Sequence, residues 1–263
     1  MVLAVLILNR CATVGPDYVP PKKSVSKDWH TQLKGGLTTE EMDPQTLAAW
    51  WTTLNDPELS SLIDRAVAGN LDLKKAWARV REARARRGVA KADLFPTLNA
   101  TGSATWSRSS KDTGTGKLSD LYAANFDAGW ELDIFGGARR SVEAAEADLQ
   151  AIQEDLRDVL VSLLAEVALN YIDVRTFQAR IIVAEANLKA QNETYQLVLW
   201  RYQAGLSDEL AVQQARYNLE STRSQIPTLR TGLEEAMNRI AVLLGEQPGK
   251  IHAELEKREP IPV

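Results

Sequence analysis

The chain has 263 residues, 31 basic and 35 acidic, and its net charge of -4 gives no support for a nucleic-acid-binding surface. Its single cysteine, Cys11, excludes an internal disulfide and a cysteine-based metal cluster, while the two histidines, His30 and His252, stand in irregular segments unsuited to a histidine-based site. No apolar run reaches the roughly 18–20 residues that a membrane-spanning helix needs, so insertion into a bilayer would have to use strands.

Residues 1–11 form an apolar run ending at Cys11. That is the pattern of a lipoprotein signal, in which the cysteine becomes the acylated first residue. The run is short, its basic start is missing, and Asn9 and Arg10 stand where small residues are expected, so an incomplete leader is the alternative. Residues 12–45, rich in Pro, Gly, Lys and Thr without a sustained period, predict an extended arm lying on other parts of the protein.

Residues 46–94 read as helices. Asp43-Pro44 opens one that carries Leu47, Trp50 and Trp51. Asn55-Asp56-Pro57 follows as a cap with proline in the first turn. Leu59, Leu62, Ile63, Ala66 and Val67 then keep helical spacing to Gly69-Asn70, where a further helix starts and runs to about Asp93. Its cluster of Lys74, Lys75, Arg79, Arg81, Arg84, Arg86, Arg87 and Lys91 reads as a solvated or inter-helix face. Phe95-Pro96 stops it.

Residues 95–136 alternate. Leu98, Ala100, Gly102, Ala104 and Trp106 alternate with polar residues, and Tyr122, Ala124, Phe126, Ala128, Trp130, Leu132 and Ile134 alternate over 121–134 with a mainly polar set, Leu121, Ala123, Asn125, Asp127, Gly129, Glu131 and Asp133. A polar loop, 108–120, joins the two segments. Side chains on a strand point to opposite faces in turn, so each strand has one apolar face. The apolar set, with Leu98, Ala100, Trp106, Tyr122, Phe126, Trp130 and Leu132, suits lipid, with aromatics as interfacial anchors. Asp127, Glu131 and Asp133 fall on the other face, as the lining of a wet lumen. Known barrels have at least eight strands, so two strands require several chains or a longer one.

After Gly137 no proline or glycine occurs before Gly205. That predicts a helix of about 68 residues, roughly 100 Å long at 1.5 Å per residue. Val142, Ala145, Leu149, Ile152, Leu156, Val159 and Leu163 step by three and four, a coiled-coil seam. The chain returns through a second helix, broken or kinked near Pro227. Residues 137–245 are therefore a helical hairpin with its tip at 204–208, and 246–263 form a polar linker. The fold class is mainly α with one two-stranded antiparallel β-hairpin.

These residues carry a family resemblance over nearly the whole chain. The stretches are Cys11–Pro20, Trp50-Trp51 with Asn55–Leu59, Ala92–Leu98, Trp130–Gly136, Arg201–Leu206 and Leu243–Gly249. Together they resemble the N-terminal half of an outer-membrane efflux lipoprotein, the TolC-like outer-membrane factor of tripartite RND-type exporters. The resemblance implies two tandem strand-and-helix units per chain, of which only the first is present, and a barrel of twelve strands built by three chains. A truncated gene product, a fragment or one half of a split protein would each read this way.

The resemblance also implies a lipid-anchored outer-membrane protein extending into the periplasm. Its partners would be a periplasmic adaptor (membrane fusion protein), through it an inner-membrane pump, outer-membrane lipids and further copies of itself. It would be a passive export duct for drugs or other small molecules, not an enzyme, with no cofactor or metal. The adaptor-docking tip maps onto Arg201, Tyr202, Gly205, Leu206, Asp208, Leu210 and Val212. There Asp208 and Ala211 replace the family's usual serine and aspartate. From the residues alone, a soluble periplasmic coiled-coil scaffold or adaptor is the competing reading, and a hydrolase a distant third.

Overall fold

The computed structural model describes residues 14–21 and 48–262; Cys11 and His30 lie outside them. The elements are α1 (Pro57–Gly69), α2 (Leu71–Ala92), β1 (Thr97–Arg108), β2 (Leu118–Gly129), α3 (Gly137–Gln203), α4 (Glu209–Leu243) and α5 (His252–Leu255). The described residues form two compact units, one holding 14–21 and 78–154 and the other 48–77 and 155–262.

In the first unit β1 and β2 pair antiparallel from Thr97↔Gly129 to Arg108↔Leu118. This register sets Leu98, Ala100, Gly102 and Ala104 opposite Ala128, Phe126, Ala124 and Tyr122, while Asn99 and Thr101 face Asp127 and Asn125. Both alternations therefore share their faces, one mainly polar and one apolar except for Arg108 and Asp120 at the loop end. Trp106 lies edge-on to Tyr122, ring centroids 6.2 Å apart at 89°.

The strand bounds correct the sequence reading. β2 begins at Leu118, inside the expected loop, and ends at Gly129 rather than Ile134. The register explains the early end: Trp130 would fall opposite Pro96, which has no N–H to give a ladder. Trp130, Glu131, Leu132 and Asp133 consequently lie beyond the strand. Trp130 Nε1 donates to the Leu94 carbonyl at 3.3 Å. The Asp133 carboxylate accepts from the Arg139 backbone N–H at 2.9 Å and from its Nε at 3.2 Å, capping the start of α3. Glu131 and Asp133 are thus not strand-face residues, and Asp133 is committed to a helix terminus.

In the second unit, Trp50 and Trp51 sit in a 3-10 helix (Trp50–Leu54), not an α-helix; residues 43–47 lie outside the described set. Asn55, at φ 50°, ends it. The Asp56 carboxylate then caps α1, accepting from Glu58 and Leu59 N–H at 2.9 Å each, with Pro57 at the first helical position.

The core gathers Leu59, Leu62 and Ile63 of α1, Val167, Tyr171 and Val174 of α3, Ile240 and Leu244 near the end of α4, and Ile251 and Leu255 of the tail. The end of α4 meets the α1–α2 joint at backbone distance. A methyl group on Gly69 would lie 2.1 Å from the Leu244 carbonyl oxygen. Asn70 joins the two segments, accepting from Leu73 N–H at 2.8 Å and donating to the Leu243 carbonyl at 2.9 Å.

On α4, Val212, Leu219, Ile226 and Ile240 are buried and Leu233 partly so, a seven-residue repeat that keeps one face against α3. The helix runs unbroken through Pro227, which is exposed while its neighbour Ile226 is buried. Of the two outcomes expected there, a break or a kink, the break is absent. The α3 seam is buried at Leu149 and Leu163 and partly buried at its other positions.

Candidate functional site

The two candidate places expected from the sequence are the tip of the helical hairpin and the strand pair. At the tip, Gly205 adopts φ +75°. Its N–H donates to the Tyr202 carbonyl at 2.9 Å, and the Leu206 N–H reaches back to the Arg201 carbonyl at 2.8 Å. Those two bonds end α3 through a left-handed residue, a conformation that favours glycine. Arg201 and Tyr202 thus contribute carbonyls to the turn while their side chains stay exposed.

Asp208 opens the return helix: its backbone is extended and its carboxylate accepts from the Ala211 N–H at 2.8 Å. Aspartate in place of the family's serine keeps the capping chemistry, since both side chains accept from the first turn. Leu206 and Leu210, 70% and 75% exposed, present two apolar side chains to solvent at the tip. Val212 differs from the expectation. It is only 7% exposed because it is the first residue of the buried repeat, so its surface is spent on the seam. The sequence reading overlooked Leu197 and Trp200, 55% and 62% exposed just before the tip; their three-residue spacing on a helix was the available signal.

On the strand pair, every residue of both strands is exposed. Leu98, Ala100, Trp106, Tyr122 and Phe126 share one face; Asp127 lies on the other, opposite Asn99. Among the described residues both outer edges of the pair are unpaired. Among those residues, too, no helix is long and apolar enough to cross a membrane, and no group of three His, Cys, Asp or Glu side chains is placed to hold a metal.

The sequence did not announce a polar cluster beneath α1. Arg175 is fully buried; it pairs with Glu58 and donates to Gln178 Oε1 at 3.0 Å, the Lys257 carbonyl at 2.7 Å and the Tyr171 hydroxyl at 3.1 Å. Tyr171 in turn donates to the Asp56 carboxylate at 2.7 Å. Burial pushes the Glu58 carboxyl above its ordinary range, opposed by the Arg175 charge. Burial and the Asp56 hydrogen bond likewise raise the Tyr171 phenol.

A strand pair with open edges, leading into a 67-residue helix that returns through a second long helix, defines one unit of a barrel-and-helical-hairpin protein. Residues 62–246 match the outer membrane efflux protein family, and the chain belongs to it. It is 33% identical over 258 residues to nodulation protein T of Rhizobium leguminosarum bv. trifolii, covering 96% of this chain and 53% of that protein. It is 32% identical over 240 residues to the cation efflux system protein CusC of Escherichia coli (strain K12), covering 91% of this chain and 51% of that one. The fold matches the outer-membrane channel OprN with a TM-score of 0.75 at 33% identity, over 96% of this chain and 56% of that chain. The chain thus spans about half the length of the curated relatives it matches. Family membership favours the outer-membrane efflux reading over the soluble scaffold.

Proposed function

We propose that the protein is the outer-membrane channel component of a tripartite efflux system, a passive exit duct that performs no chemistry of its own. The carrying observation is the strand pair: twelve residues in each strand, wholly exposed, one face apolar except for Arg108 and Asp120 next to the connecting loop, the other mainly polar. In water such a pair is marginal and its edges invite aggregation. In a closed barrel both faces and both edges find partners, and strands of about 9–11 residues suffice to cross a bilayer.

On this reading Leu98, Ala100, Trp106, Tyr122 and Phe126 face lipid, with Trp130 and Leu132 at the boundary just past β2. Asp127 faces the lumen, and a carboxylate there suits positively charged cargo. The tip, through Leu206 and Leu210, receives a periplasmic adaptor and through it an inner-membrane pump. Barrel closure recruits further strands, in the family manner as a trimer. Cys11 is the lipid anchor.

Insertion is checked by bilayers whose acyl chains carry bromine or nitroxide quenchers. Trp106 emission is expected to fall relative to unlabelled lipid. Emission unchanged by the quenchers, in protein that needs no detergent for extraction, would refute the channel reading.

A further inference from the structure

Residues 14–18 run along the first turns of α3 as an exposed strap, held by polar contacts rather than by burial. The Val14 N–H donates to the Phe135 carbonyl at 2.9 Å. Arg140 supplies most of the rest. Its Nε donates to the Val14 carbonyl at 2.9 Å, and its Nη2 donates to the Gly15 carbonyl at 3.3 Å and the Asp17 carboxylate at 2.7 Å. Its Nη1 pairs with one oxygen of Glu143, whose other oxygen accepts from the Tyr18 N–H at 2.7 Å. One guanidinium therefore grips two successive carbonyls and two carboxylates, an arrangement that uses the planar fork of arginine and not merely its charge. Gly15, at φ +80°, makes the backbone turn between the two carbonyls. The Arg140 and Tyr18 hydrogen bonds hold the Glu143 carboxyl below its ordinary range, consistent with a charge fixed in place.

We propose that Arg140 is a mooring residue. It ties the segment following Cys11 to the foot of α3, beside the exit of the strand pair, and so limits where a lipid on Cys11 can enter the membrane. Two residues, Ala12 and Thr13, separate Cys11 from Val14, three Cα–Cα steps with a reach of at most about 11 Å. The membrane half of this proposal rests on the reading of Cys11 as an anchor; the grip of Arg140 on the strap does not.

The test uses the full chain with Cys11→Ser and a nitroxide on Val19→Cys, which is then its only cysteine. The parent spectrum is expected to show an immobilised component. Arg140→Ala should remove it, and Arg140→Lys, which keeps the charge but not the fork, should reduce it. A freely tumbling label in the parent, or a spectrum unchanged by Arg140→Ala, overturns the mooring. Should Arg140→Ala lower the helical circular dichroism, Asp17→Asn, which lies outside α3, decides by the same two criteria. Labelled palmitate offered to the chain with Cys11 intact reads the other half: incorporation supports delivery of a lipid, and its absence removes the anchor while leaving the mooring result standing.

Discussion

Arg175 is completely buried, and four acceptors from three parts of the chain surround its guanidinium. The arrangement joins the capped start of α1, the middle of α3 and the carbonyls of the tail, since Gln178 also donates to the Leu255 carbonyl at 2.7 Å. A buried charge is costly to strand, so the pair is read best through the loss of one member. Glu58→Ala should lower unfolding stability by about 3 kcal/mol, the low end for breaking a buried pair, because neutral acceptors remain around Arg175. Glu58→Gln, which keeps an acceptor, should cost distinctly less. Denaturant titration of both variants checks the order; equal and negligible losses would show that the tail is held by Ile251 and Leu255 alone.

At the scale of the element, the hairpin tip is built from two cooperating caps. Gly205 ends α3 through its positive φ, and Asp208 begins α4 through its carboxylate. Everything apolar that remains exposed there, Leu206 and Leu210 above all, is free of the seam. On the proposed reading that the tip receives an adaptor, Leu206→Glu should abolish cross-linking to it without altering helix content, because the side chain is exposed. Gly205→Pro should do the same by removing the N–H that bonds Tyr202 and refusing the positive φ. Cross-linking that survives Leu206→Glu would move the docking surface, with exposed Trp200 the next place to look.

For the whole molecule, the two faces of the strand pair make opposite demands. Ala124, mid-strand on the apolar face, lies opposite Gly102, while its neighbour Asn125 points the other way. On the proposed barrel reading, Ala124→Arg should cost about 2–4 kcal/mol of barrel stability, the penalty for a cation facing lipid near the bilayer midplane. Asn125→Arg should be nearly neutral if its face lines water. Heat-modifiability on gels, or denaturant unfolding in lipid, separates the two; equal sensitivity of both positions would contradict the facing assigned here.

The sequence by itself determined what depends on neighbours along the chain. Alternation marked the strands and their apolar face, the Asp56-Pro57 cap placed α1, and the stretch free of glycine and proline between Gly137 and Gly205 placed α3. Period, capping and chain breakers are local properties, so they are legible in one dimension. Tertiary structure alone decided what depends on partners distant in sequence. The register ended β2 at Gly129, because the next residue would have met Pro96. A helix start took Asp133 out of the supposed lumen lining, and the seven-residue repeat on α4 drew Val212 inward. Within the Arg175 cluster, Arg175 and Glu58 alone stand 117 positions apart, and no local pattern could have foretold their meeting. Which side chains remain free to meet lipid, cargo or a partner is settled only after the fold has used the others.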